Sequence, residues 1–363
     1  MKRIDWIDTA KALGIFLVFY GHLIENVSRC EGLDVAFLQY KFIYAFHMPF
    51  FFFISGFFGK KEISLKQAVY KLLVRRLTPV LTFSLMTVPF WIVFLAQVED
   101  NYLQHIFWKG LNYLKGIPSL NIVTWFLVCL MVSEIMALVI FDRVQSRKVI
   151  LGIAMVSLLF GLVVSQDIEA SGHILGIEPN TWYFHESFVA LGFYLSGYVL
   201  YPVIENLQTR SKTIVGLVPV SALLLLLFTF NLNKPTPYFA VSMGVSSHGE
   251  MIPFIISAFA GTLLLIGISM LLPSLRSLMF VGRNTLVLLG LSGIFHHFFN
   301  PYFVRFYFPG NSWLLITLYC LSVSVVSIVI SIPLVNLFNK HFPQLIGKAN
   351  RRLNPKPNLK SLV

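Results

Sequence analysis

Residues 5–26 read Asp-Trp-Ile-Asp-Thr-Ala-Lys-Ala-Leu-Gly-Ile-Phe-Leu-Val-Phe-Tyr-Gly-His-Leu-Ile-Glu-Asn. The middle of this run is apolar enough to enter a bilayer, yet the stretch carries Asp8, Lys11, His22 and Glu25. Positions 8, 11, 15, 18, 22 and 25 advance in steps of three and four, so a helix puts them on one face. That face is polar at both ends and aliphatic at Ile15 and Val18 between them. An ionisable group inside a spanning helix is costly unless it meets protein or water, which makes each one a functional candidate. Two readings stand for Asp8 and Lys11: a chemical role, or interfacial charges that only snorkel towards the headgroups. For His22, deeper in the span, the chemical reading leads.

The whole chain follows the same pattern. Of its 363 residues 56% are hydrophobic, 15% aromatic and 12% charged, and the mean hydropathy is +0.76. Soluble domains carry about a quarter charged residues, so this is the composition of a membrane protein. Apolar runs long enough to cross lie at about 8–25, 40–58, 77–97, 122–141, 149–165, 186–204, 213–231, 251–272, 284–300 and 313–336. They predict an all-α, polytopic integral membrane protein with about ten transmembrane helices. Pro49 and Pro89 fall inside runs and are expected to kink them, whereas Pro79, Pro202, Pro273 and Pro333 fall near run ends.

The net charge of +12 would suit nucleic acid if it lay on one soluble face, but its distribution has a simpler cause. Residues 2–11, 60–76, 143–148, 210–212, 276–283 and 340–360 hold most of the 28 Lys and Arg. Positive residues gather on the cytoplasmic side, so both termini are expected there and no nucleic-acid partner is. The loop at 166–186 has no Lys or Arg and carries Asp167, Glu169, Glu178 and Glu186, as an outer loop does. Lys2 and Arg3 ahead of an apolar run resemble a signal peptide. Ionisable residues interrupt the run and no small-x-small site follows, so the first span is read as uncleaved. Cys30, Cys129 and Cys320 lack the spacing of a disulfide framework or metal site. Residues 1–340 read as one transmembrane domain, and 341–363 as a basic cytoplasmic tail, disordered at its end. Phe53-Ile54-Ser55-Gly56-Phe57 is echoed by Tyr194-Leu195-Ser196-Gly197-Tyr198. Ser-Gly pairs near helix ends serve close helix packing, and the echo is also a faint sign of a duplicated half.

With the first helix starting inside, His22 stands about 16 Å above Lys11, in the outer half of the membrane. His47, about 10 Å down the second helix, comes to a similar depth. Glu25 and Asn26, at i+3 and i+4 from His22, are placed to orient its imidazole or take its second proton. A histidine held by a carboxylate is a general base near neutral pH. His47, ahead of Met48-Pro49, has two readings: a second catalytic histidine, or a donor to a carbonyl freed by the proline. Histidine and glutamate on two helices also suit a metal, but no His-x-x-x-His or His-Glu-x-x-His run is present and none is expected. Glu134, about 16–18 Å along the fourth helix, is a candidate partner for one of the cations and, with Asn284, a candidate for substrate binding. His296-His297 is read as interfacial and structural. The loop from Lys60 to Arg76 holds six cations against Glu62. Topology and anionic lipid explain most of them. Arg75 and Arg76, abutting Leu77-Thr78-Pro79 at the mouth of the third helix, are the candidates for phosphate.

These residues resemble the membrane acyltransferase family 3, the many-helix O-acyltransferases of bacterial surface carbohydrates, and especially its fucose 4-O-acetylase-like branch. The resemblance rests on Trp6-Ile7-Asp8-x-x-Lys11-Ala12-x-Gly14-Ile15 followed by Gly21-His22. Next comes Phe46-His47-Met48-Pro49-Phe50-Phe51-Phe52-Phe53-Ile54-Ser55-Gly56-Phe57. Weaker echoes lie in Arg75-Arg76-Leu77-x-Pro79, Trp125-Phe126-Leu127 and Gly282-Arg283-Asn284-Thr285-Leu286. It implies a multi-pass protein of the bacterial inner (plasma) membrane that transfers an acyl group, usually acetyl. The donor would be a cytoplasmic acyl-CoA such as acetyl-CoA, and the acceptor a carbohydrate hydroxyl. The implied partners are therefore the lipid bilayer, acyl-CoA and the carbohydrate acceptor. His22 matches the family's essential histidine of the first helix, as general base or acyl carrier. Arg75 and Arg76 match its basic motif and, with Lys11, would hold the CoA phosphates. Lys11 stands where many members carry arginine, a change that loses bidentate phosphate binding. Leu73 stands where an Arg-x-x-Arg pattern would put its first arginine. Ser292 stands where a late histidine often follows Asn-Thr-Leu, with His296 one turn on.

Read from the residues alone, the same intramembrane charges equally fit a transporter or flippase of lipid-linked sugars. A lesser reading is a sensory or scaffold membrane protein with no CoA dependence.

Overall fold

The computed structural model describes residues 4–29, 33–235, 240–306 and 310–348. In a bilayer a chain has to satisfy its backbone groups internally, and the apolar runs do so as helices. Among the described residues these are α1 (Asp5–Ser28), α2 (Asp34–Tyr44), α3 (His47–Gly56), α4 (Leu65–Leu95), α5 (Tyr102–Leu111), α6 (Trp125–Arg143), α7 (Arg147–Val164) and α8 (Ile168–Leu175). They continue with α9 (Phe184–Leu207), α10 (Lys212–Thr229), α11 (Met251–Leu271), α12 (Arg276–Arg283), α13 (Thr285–Ile294), α14 (Asn300–Phe306) and α15 (Trp313–His341). No β-strand forms among the described residues; one isolated bridge joins Ser242 to Ser247.

Among the described residues eight helices are each long and apolar enough to cross a membrane: α1, α4, α6, α7, α9, α10, α11 and α15, some lengthened by the turns beside them. α12 and Thr285–Arg305, which are long and apolar enough only together, meet at a bend of 73° and bring the number to nine when taken as one span. The run at 40–58, expected as one span, is not one continuous helix. There the chain divides at Ala45-Phe46 into α2 and α3, of 11 and 10 residues, each too short to span alone. Pro49 supplies the reason, because it has no N–H for the Ala45 carbonyl and its ring collides with that group. It therefore sits in the first turn of a new helix instead of kinking a continuous one. Pro79 and Pro89, by contrast, both lie within the unbroken 31-residue α4.

Glycines set how closely several helices approach. A Cβ on Gly56 would stand 1.9 Å from the Tyr194 carbonyl oxygen, and one on Gly197 would stand 1.9 Å from that of Phe53. The two echoing Ser-Gly segments are thus each other's partners, a reciprocal contact that welds α3 to α9. Gly282 allows α12 the same intimacy with α1, at the Asp8 carbonyl.

The polar contacts at one end of the bundle tie distant parts of the chain together. Asp8, near the start of α1, accepts from Arg283 at the end of α12 (Nε–Oδ2 2.8 Å). Asn284 accepts from Asn339 near the end of α15, and Asn339 accepts from Lys348. The turn Pro343–Ile346 brings Gly347 against the Arg75 carbonyl. The first and last described residues therefore lie at the same end. This packed turn is the opening of the basic tail expected at 341–363. The rest of that tail, with Arg351, Arg352, Lys356 and Lys360, lies outside the described residues, as do Lys2, Arg3 and Cys30. The acidic segment 166–186 is not a plain loop either. It forms α8, and Glu186 is buried at the start of α9 against His248 (3.1 Å).

Candidate active site

Two polar layers flank the middle of α1, where Ile15 and Val18 are 1% and 2% exposed. The first layer belongs to the end that holds Asp8 and Arg283. Arg76 on α4 forks onto Glu134 on α6, with Nε to Oε2 at 2.8 Å and a terminal nitrogen to Oε1 at 2.6 Å. Both side chains are nine-tenths withdrawn from solvent or nearly so, at 12% and 13% exposure. Two groups assigned from the sequence to different ligands thus hold each other. Lys11 lies over the Phe58 ring, 4.5 Å from its centre. Arg75 is exposed. Asn284, expected at a substrate, donates to the Phe280 carbonyl and accepts from Asn339, and so braces the bend between α12 and α13. A cavity of about 310 Å³ opens at the start of α1, beside Asp5, Trp6, Gln208 and Ser269.

The second layer is built around His22. Its Nδ1 stands 3.7 Å from Glu25 Oε2, outside hydrogen-bond range, and the Tyr44 hydroxyl closes the gap. That hydroxyl donates to Glu25 Oε2 at 2.9 Å and lies 3.2 Å from His22 Nδ1. A phenol has one proton to give. With it committed to the carboxylate, the Tyr44 oxygen accepts from Nδ1–H, and Nε2 is left as the basic nitrogen of His22. Arg29 holds the other carboxylate oxygen of Glu25 at 2.6 Å. Asn26, expected to orient the ring, instead donates to the His22 backbone carbonyl, four residues back, at 2.8 Å.

His47 is buried and its Nδ1 donates to the Ile43 carbonyl at 3.0 Å. In an unbroken helix the His47 amide would have bonded that carbonyl, so the ring substitutes for the amide at the break caused by Pro49. The ring is thus a carbonyl donor, to Ile43 and not to the Ala45 carbonyl that Pro49 leaves without its amide. Its contact with the site is through the Tyr44 ring, 4.6 Å between centres.

His296 is the residue that sequence reasoning placed wrongly. It packs on His22 with ring centres 4.4 Å apart, and its buried Nδ1 has no hydrogen-bond partner. The cause is a single π-helical turn, Phe295–Phe299, between α13 and α14. Such a turn carries an extra residue and re-aims the side chains around it. His296 turns to α1, while His297 accepts from the Ile122 amide at 3.4 Å and packs on Trp91. The one available signal was the residue pattern itself, with Ser292 at the expected late histidine and His296 a turn later. Ser292 is buried and donates to the Leu289 carbonyl.

The His22 layer is reached from the end opposite Asp8. A cavity of about 420 Å³ is lined by Glu25, Ser28, Arg29, Phe37, Tyr40, Ser242 and Val245. Its roof, residues 240–250, is pinned from below. His248 meets Glu186 and Ser165, and Asn233 donates to the His248 carbonyl and accepts from the Glu250 amide.

Comparisons with curated proteins and with solved structures returned no match. The family described as an acyltransferase domain matches residues 4–332, which take in both polar layers and all helices up to the greater part of α15. By that match the chain belongs to the membrane acyltransferase family 3.

Proposed function

We propose that this membrane acyltransferase moves an acyl group, acetyl in the simplest case, from acyl-CoA to a carbohydrate hydroxyl, with His22 as general base. Acetyl-CoA would approach the end of the bundle that carries Arg75, which would face the cytoplasm of a bacterial cell together with both termini. The acceptor would enter through the cavity beside Glu25, Arg29 and Tyr40 at the other end. The observation that carries this reading is the relay from Glu25 through Tyr44 to His22. A carboxylate that fixes the tautomer of an imidazole through a hydrogen bond leaves the far nitrogen basic and aimed.

In the proposed reaction His22 Nε2 takes the proton of the acceptor hydroxyl as its oxygen bonds to the acyl carbon. The carbon–sulfur bond then breaks, and the imidazolium returns the proton to the departing CoA thiolate. Tyr44 and Glu25 stabilise the cation in between, the carboxylate by charge and the phenol by holding the ring. Tyr40 and Phe37 at the cavity mouth offer faces for a sugar ring, and Ser28 and Ser242 offer hydroxyls.

The test is transfer of label from radioactive acetyl-CoA to carbohydrate by the purified protein in proteoliposomes. His22→Ala is expected to abolish transfer while expression and monodispersity hold. Normal turnover in that variant removes His22 from the mechanism. Label that never leaves CoA, with sugar moving across the vesicle wall instead, replaces the transferase by a transporter.

A further inference from the structure

We propose that His22, Glu25 and His296 form a reversible binding site for a divalent transition metal, zinc by preference, and that the bound metal switches the enzyme off. Each residue offers one donor atom, and the three lie within 4.8 Å of one another. Two imidazoles and a carboxylate are the donor set of three-ligand zinc sites, which leave the fourth position to water. Imidazole nitrogens favour zinc over magnesium or calcium, which take oxygen ligands.

Four features of the site carry the inference beyond mere proximity. The buried Nδ1 of His296 has no hydrogen-bond partner, so a nitrogen withdrawn from water awaits an electrophile or a donor. Zinc–nitrogen bonds of about 2.0–2.1 Å set neighbouring ligand atoms about 3.3 Å apart. Closing from within 4.8 Å asks for about 1.5 Å, supplied by rotation of the Glu25 side chain and of the two imidazoles about their own bonds. Arg29, which holds one Glu25 oxygen, has a side chain 73% exposed. Its guanidinium can turn to solvent, where water takes the place of the carboxylate, while the metal takes over the Glu25 charge. The cavity at Glu25 and Arg29 gives the metal its path. Once bound, it occupies a His22 lone pair, and that nitrogen can no longer accept the acceptor's proton.

Metal binding is measured without turnover, so its outcome is separate from that of the proposed reaction. Full-length protein, freed of any affinity tag, is equilibrated with Zn²⁺ in the presence of excess Mg²⁺ and the bound metal is counted. One Zn²⁺ per chain is expected, held at least tenfold more weakly in His296→Ala and in Glu25→Gln. His105→Ala, which breaks the exposed His105–Glu99 pair at 2.9 Å, is expected to leave binding unchanged. If His296→Ala does not fold, His22→Gln is read by the same titration. Co²⁺ in place of zinc is expected to give the visible absorption of a low-coordinate imidazole complex, lost in the same variants. Zinc that binds below one per chain, or that follows His105 instead of His296, overturns the site. Zinc that binds as expected but leaves transfer unaltered overturns the switch.

Discussion

Removing one oxygen atom, in Tyr44→Phe, isolates the coupling between Glu25 and His22. The ring, its packing on His47 and its contact with Tyr40 all persist, and only the hydroxyl that meets Glu25 at 2.9 Å and His22 at 3.2 Å is lost. Hydrogen bonds to charged groups are worth about 1.5–3 kcal/mol. At about 1.36 kcal/mol per decade of rate, kcat should fall roughly ten- to 150-fold. The KM for acyl-CoA should stay within about twofold, because the donor end lies a dozen residues away along α1. Initial rates of acetyl transfer in proteoliposomes, at varied acyl-CoA and fixed acceptor, supply both constants. Glu25→Gln should cost a similar factor, and the double variant should be no worse than the poorer single one, as expected of groups acting as a unit. A Tyr44→Phe enzyme with kcat within twofold of wild type refutes the relay. So does a double variant whose losses multiply.

Three further outcomes are expected. Gly197→Ala drives a methyl group into the Phe53 carbonyl and should cost about 1–3 kcal/mol by overpacking; thermal unfolding in detergent reads this, with Gly152→Ala, whose Cβ meets nothing within 4 Å, as the control that should not lose stability. Glu134→Gln strands the Arg76 guanidinium, a loss of about 3–5 kcal/mol for a withdrawn pair, and Glu134→Gln with Arg76→Gln should recover part of it; a stable single variant with a raised acceptor KM would return Glu134 to substrate. Arg75→Ala should raise the KM for acyl-CoA more than that for carbohydrate, and equal effects would count against a CoA site there.

Hydropathy and the 3,4 spacing of α1 made the helical membrane fold and the polar face that carries His22 legible from the residues. Glu134 as the mate of a cation was equally readable, since an unpaired carboxylate at that depth is costly. The break at Ala45-Phe46 was hidden because hydropathy runs straight through it, and only the backbone chemistry of Pro49 divides the run. Tyr44 gave no signal, as the register of α2 against α1 decides what its hydroxyl meets. The π turn brings His296, read as interfacial and structural, into contact with His22, and a fixed helical period cannot anticipate an inserted residue. Glu186 read as part of an acidic outer loop because its partner, His248, lies 62 residues away.

Ile15 and Val18 give α1 a dry waist. Buried apolar side chains between its ionisable ends leave a proton no polar stepping stone along that face of the helix.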